Sequence, residues 1–195
     1  MRLIADLHIH SKYSRATSKD MNLDTLAEWA KIKGIDILGT GDFTHPAYFA
    51  SIEEKLEETV KGLLTLKKAG HKSSPAFMLS AEVSNIYTQS GKTRKIHSLL
   101  FAPDLKAARK INSALSRLGN VSSDGRPIFG FNVQDLVKVA LDASDDCLVV
   151  PAHAWTPWFS IFGSKSVFDS IEECFGEYSK YIRAIETGLS SNPRM

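Results

Sequence analysis

The sequence predicts an α/β protein in which parallel strands are joined by crossover helices. Apolar runs of strand length alternate with helical stretches carrying one apolar stripe, the pattern of repeated strand–helix–strand units. Several of those runs also end in a histidine or a carboxylate, which places polar chemistry at strand ends. At 195 residues, 43% hydrophobic and 24% charged, the chain has the make-up of one globular domain, residues 1–195, long enough to bury a core. A formal charge of +2 permits an acidic partner without requiring one. Cys147 and Cys174 lie far apart with no Cys-x-x-Cys pair, so neither a disulfide framework nor a zinc ribbon is indicated. Met1-Arg2 leads straight into the first strand without room for a signal peptide, and no apolar run approaches the ~18 residues of a membrane span. With thiols used this sparingly, a cytoplasmic protein without a membrane partner is expected.

In order, Ile4 to His10 reads as a buried strand and Ser11 to Met21 as a polar loop. Asn22 caps a helix whose stripe is Leu23, Leu26, Ala27 and Ala30, and Gly34 ends it. Ile35 to Gly39 is a second strand, and a long helix is expected from about Ile52 to Ala69, with Leu56, Val60, Leu63 and Leu64 on one side. Phe77 to Val83 is a third strand; Ile86–Thr88 and Lys95–Phe101 flank a hairpin turn at Gln89–Lys92. Helices follow near Lys106–Leu118 and Val133–Leu141, then apolar strands at Cys147–Ala152 and Tyr181–Glu186. This order fits an α/β barrel or an open sheet.

The polar residues favour the barrel. His8 and His10, Asp42, Glu82, His97, His153 and Glu186 each fall at or just past the C-terminal end of a different apolar strand, and in a (β/α) barrel those ends converge on one rim. His8 and His10, spaced i, i+2 on a strand, leave the backbone on one face and suit metal chelation. The Glu82 carboxylate has two oxygens and can bridge two ions; His97 and His153, on nearly all-apolar strands, read as ligands of the second. Paired ions clamp the attacking and leaving oxygens of an in-line displacement and acidify water, which is the apparatus of phosphate-ester hydrolysis.

Asp6-Leu7-His8-Ile9-His10-Ser11, Gly41-Asp42, Glu82, His97 and Pro151-Ala152-His153 resemble the successive metal motifs of the PHP (polymerase and histidinol phosphatase) superfamily, over essentially the whole chain. The resemblance implies a distorted seven-stranded (β/α) barrel with two or three divalent metals that hydrolyses phosphoesters. Carried over by position, His8, His10 and Glu82 would hold one metal, Glu82, His97 and His153 the second, and Asp42 would belong to a third. Zinc, manganese or iron suits such His/carboxylate sets, and magnesium can serve in activity.

Two motifs depart from the superfamily pattern. The usual Ser-Asp-Gly turn is replaced by Tyr13-Ser14-Arg15-Ala16, and the usual Thr-Asp-His by Thr40-Gly41-Asp42-Phe43, which weakens the third site unless His45 replaces the missing imidazole. Gly39 to Pro46, Pro151 to Phe159 and Glu186 to Ser191 are similar to the endonuclease Q branch, whose members nick DNA 5′ of deaminated bases such as hypoxanthine and uracil. The superfamily's closing Asp-x-His finds no counterpart after His153, and about six core strands stand where seven are expected. Residues 1–195 are therefore expected to be the N-terminal part of a longer protein, with the barrel lacking its C-terminal portion.

For the substrate, Arg15 stands in the loop after His10, where it can pair with the scissile phosphate, and Lys95 belongs to a basic cluster with Lys92 and Arg94 at the hairpin. Lys92 and Arg94 read more readily as a solvated turn. Trp155 and Trp158, followed by Phe159 and Phe162, can stack on an extruded base, or form a lid over the barrel. The reading is thus a metal-dependent endodeoxyribonuclease acting on DNA with damaged bases. A small-molecule phosphatase of the histidinol-phosphate type and a non-catalytic module are the alternatives. Glu82 would position the metals, and the outgoing oxygen would be stabilised by metal or by a protonated neighbour such as His45.

Overall fold

The computed structural model describes residues 2–68, 74–165 and 168–188. The first helix forms where its caps are. The Asn22 carboxamide oxygen accepts from Asp24 N and Thr25 N, α1 runs Leu23–Lys33, and Gly34 takes the left-handed φ of 69° that ends it. Leu23, Leu26, Ala27 and Ala30 are its buried residues, as the stripe requires.

The strands are β1 (Ala5–Asp6), β2 (Ile37–Gly39), β3 (Leu56–Val60), β4 (Leu63–Leu66), β5 (Ala76–Gln89), β6 (Lys92–Ala102), β7 (Ile128–Phe129) and β8 (Leu148–Pro151). β1, β2 and the start of β5 pair in parallel, whereas β5–β6 and β6–β8 are antiparallel. β5 is the hub: its first residues pair with β2 and β4, and the rest of it pairs with β6, with β7 alongside. Ser90 and Gly91, at φ 51° and 73°, form the tight turn between β5 and β6, the doubly positive geometry that matches strand twist. Helices α3 (Leu105–Leu118) and α4 (Val133–Ala143) pack behind this ladder through Ile111, Leu115, Val133 and Leu136.

Three expectations are corrected. The helix expected over 52–69 is instead α2 (Pro46–Lys55) followed by the β3–β4 hairpin; Ala69 itself lies outside the described residues. Gly62 at φ 83° makes the turn that a continuous helix could not contain, and Val60 pairs with Leu63 across it. The strand expected over 181–186 is a 3₁₀ turn, Gly176–Tyr181, followed by residues with no strand ladder; the Glu186 backbone meets the exit of β8, donating to Pro151 O and accepting from Ala154 N. The sheet is consequently not closed into a barrel among the described residues. Between β1 and residues 184–186 lies a groove of about 560 Å³ lined by Leu7, Met78, Leu99, Phe101 and Val150. α5 (Ile171–Phe175) buries Cys174 and Phe175 in the core. Among the described residues no helix is long and apolar enough to cross a membrane.

Gly41 fixes how β2 approaches the first motif. It has φ 65°, and a Cβ there would stand 2.5 Å from Ile9 O. Gly41→Ala should cost roughly 1–3 kcal/mol of stability, read as a lower urea midpoint at unchanged slope. An unchanged midpoint would mean that the two segments do not meet this closely.

Candidate metal centre

Alternation along the strands builds the site. Met78, Ser80 and Glu82 share one face of β5, and His97, Leu99 and Phe101 share the facing side of β6. Glu82 is 1% exposed, which is costly for a carboxylate unless cations or polar ring nitrogens surround it. They do. Its Oε1 lies 2.8 Å from His97 Nδ1, 3.2 Å from His153 Nε2 and 3.6 Å from His8 Nε2. Its Oε2 lies 3.2 Å from His10 Nε2 and 3.0 Å from Arg126 Nη1. Two groups, His8–His10–Glu82 and Glu82–His97–His153, each bring their ligand atoms within 4.8 Å of one another, with Glu82 common to both.

An outer layer sets the imidazoles. His8 Nδ1 meets Glu186 at 2.9 Å, His10 Nδ1 meets Asp42 at 3.0 Å and His153 Nδ1 meets Thr156 Oγ1 at 3.0 Å. Each pairing leaves Nε2 toward Glu82, the arrangement by which carboxylates orient metal-binding histidines. Glu186 also accepts from His153 N at 2.7 Å. His153 itself sits at φ 32° and Asp42 at φ 48°, strained conformations for residues with side chains, of the kind found where structure is held for function. The groups fit divalent ions. Nδ1 of His97 is buried and makes no well-directed hydrogen bond despite lying 2.8 Å from Oε1, and an orphaned ligand nitrogen beside a shared carboxylate is what a cation would satisfy.

Four further residues lie outside the two groups. Asp42 is fully buried, and its Oδ2 already accepts from Ser11 N, Ser11 Oγ and Ser14 Oγ at 2.6, 2.7 and 2.9 Å. With Oδ1 on His10, it orients a ligand. His45 caps the start of α2, stacks on Tyr13 at 4.2 Å and places Nε2 3.1 Å from Ser122 O. It fastens a loop, and none of its described contacts is with the Glu82 cluster. Trp155, half-buried, packs on the core beside Phe162 at 5.5 Å. Arg94, read as part of a solvated turn, is 4% exposed and lies over the Phe168 ring. Trp158 is 55% exposed, between Lys95 and Lys165, each 5.8 Å from its ring. Arg15 is exposed and lies 3.4 Å from Asp124. Two residues without a role in the sequence reading belong here: Glu186, visible as a strand-end carboxylate, and Arg126, whose loop carries no signal that it reaches Glu82.

Burial alone would lower the His8 and His10 imidazoles. The carboxylates of Glu186 and Glu82 outweigh it and push His8 up to about 10, and Asp42 and Glu82 push His10 up to about 9. Burial would raise Glu82, but the imidazoles hold it well below the usual carboxylate range. His97 is pulled down by its burial, against the opposing pull of Glu82. Metal must therefore displace protons from His8 and His10 at neutral pH. Apparent manganese affinity should climb from pH 6 to pH 9 with release of roughly one to two protons per protein, measured by calorimetry in buffers of differing ionisation enthalpy. The metal-free protein should behave oppositely. The stability these raised imidazoles contribute is fully present below about 6.5 and fades as pH rises through 9 to 10. Glu82→Ala should abolish tight binding at both groups together, whereas a variant that still binds two ions would remove Glu82 from its bridging position.

No protein-family model matches the chain. It is 28% identical over 153 residues to an uncharacterized protein of Methanocaldococcus jannaschii, covering 78% of this chain and 16% of that protein. Among solved structures it is similar to the lesion-specific endonuclease Q of Pyrococcus furiosus, at 30% identity and a TM-score of 0.80, over 97% of this chain and 43% of that one. It is also similar to an endonuclease Q bound to a 27-mer duplex with an abasic lesion at the active site, at 32% identity and a TM-score of 0.80, over 96% of this chain and 43% of that one. A proposed metal-dependent phosphoesterase from Bifidobacterium adolescentis, 14% identical with a TM-score of 0.57 over 94% of this chain and 77% of that one, shares the fold. The chain thus spans less than half the length of the endonucleases it matches. Two histidine groups gathered on one carboxylate, and this likeness along nearly all of the chain, support an assignment to the PHP superfamily near the endonuclease Q branch.

Proposed function

We propose that this chain carries the phosphodiester-cleaving centre of a metal-dependent DNA endonuclease that acts 5′ to deaminated bases, hypoxanthine and uracil. The observation that carries the reading is the likeness to lesion-specific endonuclease Q over 97% of the chain, together with a His/Glu cluster suited to two divalent ions. Zinc, manganese or iron, when bound, would supply Lewis acidity and an activated water. The chain's own residues do the positioning. Glu82 faces His8, His97 and His153 with Oε1 and His10 with Oε2, and Glu186, Asp42 and Thr156 keep the rings turned inward.

Trp158 supports a base-handling rim. A largely exposed indole flanked by Lys95 and Lys165 offers a stacking face between two phosphate-seeking cations. Arg15, exposed beside Asp124, lies on the loop that follows His10 and adds positive charge there. A cytoplasmic setting accords with two unpaired, buried cysteines.

The test is a nicking assay on 5′-labelled duplexes carrying deoxyinosine, deoxyuridine or no lesion, with manganese, magnesium or zinc added. Lesion-dependent cleavage on the 5′ side is expected, and Trp158→Ala should lower it about tenfold or more while leaving metal binding unchanged. Phosphate release from small monoesters without nicking would transfer the function to a phosphatase.

A further inference from the structure

Arg126 occupies a position that no part of the metal set explains. Its Nη1 lies 3.0 Å from Glu82 Oε2, the same oxygen that faces His10. Glu82 is 1% exposed and the Arg126 side chain 37%, so the guanidinium extends from the rim to a buried carboxylate.

The loop that delivers it is firmly held. Gly125 N donates to Tyr13 O and Ser84 N donates to Pro127 O, each at 3.0 Å. Arg126 N donates to Asp124 Oδ1 at 3.0 Å, and a Cβ at Gly125 would overlap Asp42 Oδ2 and Ser14 Oγ. The backbone of residues 125–127 therefore has little freedom, and what can move is the Arg126 side chain. Asp124 also draws Arg15 to within 3.4 Å, which brings a second guanidinium toward the same edge.

A guanidinium and a divalent cation repel each other and compete for one carboxylate oxygen. Arginine is also the side chain whose fork matches phosphate oxygens. We propose that Arg126 is an exchangeable counter-ion. It neutralises Glu82 in the metal-free protein, yields Oε2 when a cation enters the His8–His10–Glu82 group, and then holds a non-bridging oxygen of the substrate phosphate. Only the last of these steps rests on the phosphoester reading above.

The experiment measures manganese binding to metal-free protein, and inorganic phosphate binding to manganese-loaded protein, for the parent, Arg126→Gln and Arg126→Lys. Arg126→Gln should bind manganese several-fold more tightly, because the competing cation is gone, and bind phosphate about tenfold more weakly. Arg126→Lys, which keeps the charge but not the fork, should fall between the two on phosphate. Weaker or unchanged manganese binding in folded Arg126→Gln would reduce Arg126 to a structural tie and overturn the exchange. Unchanged phosphate binding would overturn the anion role. If both shifts occur and no duplex is nicked, the endonuclease reading falls while Arg126 remains a phosphate residue of another phosphoesterase.

Discussion

The structure depends on one buried carboxylate. Glu82 sits at 1% exposure on the central strand, and a charge so placed is tolerable only with cations or donors on every side. Its two oxygens divide the surroundings, with His8, His97 and His153 about Oε1 and His10 and Arg126 about Oε2. The sheet topology follows from that demand. The long β5–β6 ladder holds Glu82 and His97 in fixed register, parallel β1 and β2 lead the first histidine pair in from one side, and β8 leads His153 in from the other.

A second layer makes the first one specific. An imidazole can present either nitrogen, and the choice is made by what the other nitrogen bonds. Glu186, Asp42 and Thr156 make it for His8, His10 and His153 respectively, and Glu186 also anchors His153 N. Asp42 and His153 adopt positive φ, where a side chain is disfavoured, and both are held there by multiple bonds. The fold spends backbone strain at the two points where chain direction must change to aim a ligand or its orienting partner.

Local physics was legible and long-range contact was not. The Asn22 cap, the α1 stripe, the β5–β6 turn and the histidine alternation are written in neighbouring residues, and each emerged from them. The segment after α2 was harder to read because Leu56, Glu57 and Glu58 suit a helix, and only Val60 and Gly62 argue for a hairpin; pairing of Leu64 with Phe77 decides it. Arg126 was invisible because 44 positions separate it from Glu82 and nothing local marks the contact. His45 shows the converse. It stands near Asp42 in sequence, yet its ring turns to Tyr13 and Ser122.

Charge balance joins the proton and arginine chemistry at this centre. Without metal, the carboxylates of Glu82, Glu186 and Asp42 face protonated His8 and His10 and the guanidinium of Arg126, so the cluster is close to neutral as it stands. That neutrality lets a carboxylate remain buried in the absence of a cation. Replacing two protons by two dications would leave the same cluster with an excess of positive charge and with Arg126 released from its partner. Such a site attracts an anion only once it is loaded. Under the proposed reading, such a centre would bind phosphate in its loaded state and be held by its own salt bridges in the unloaded one.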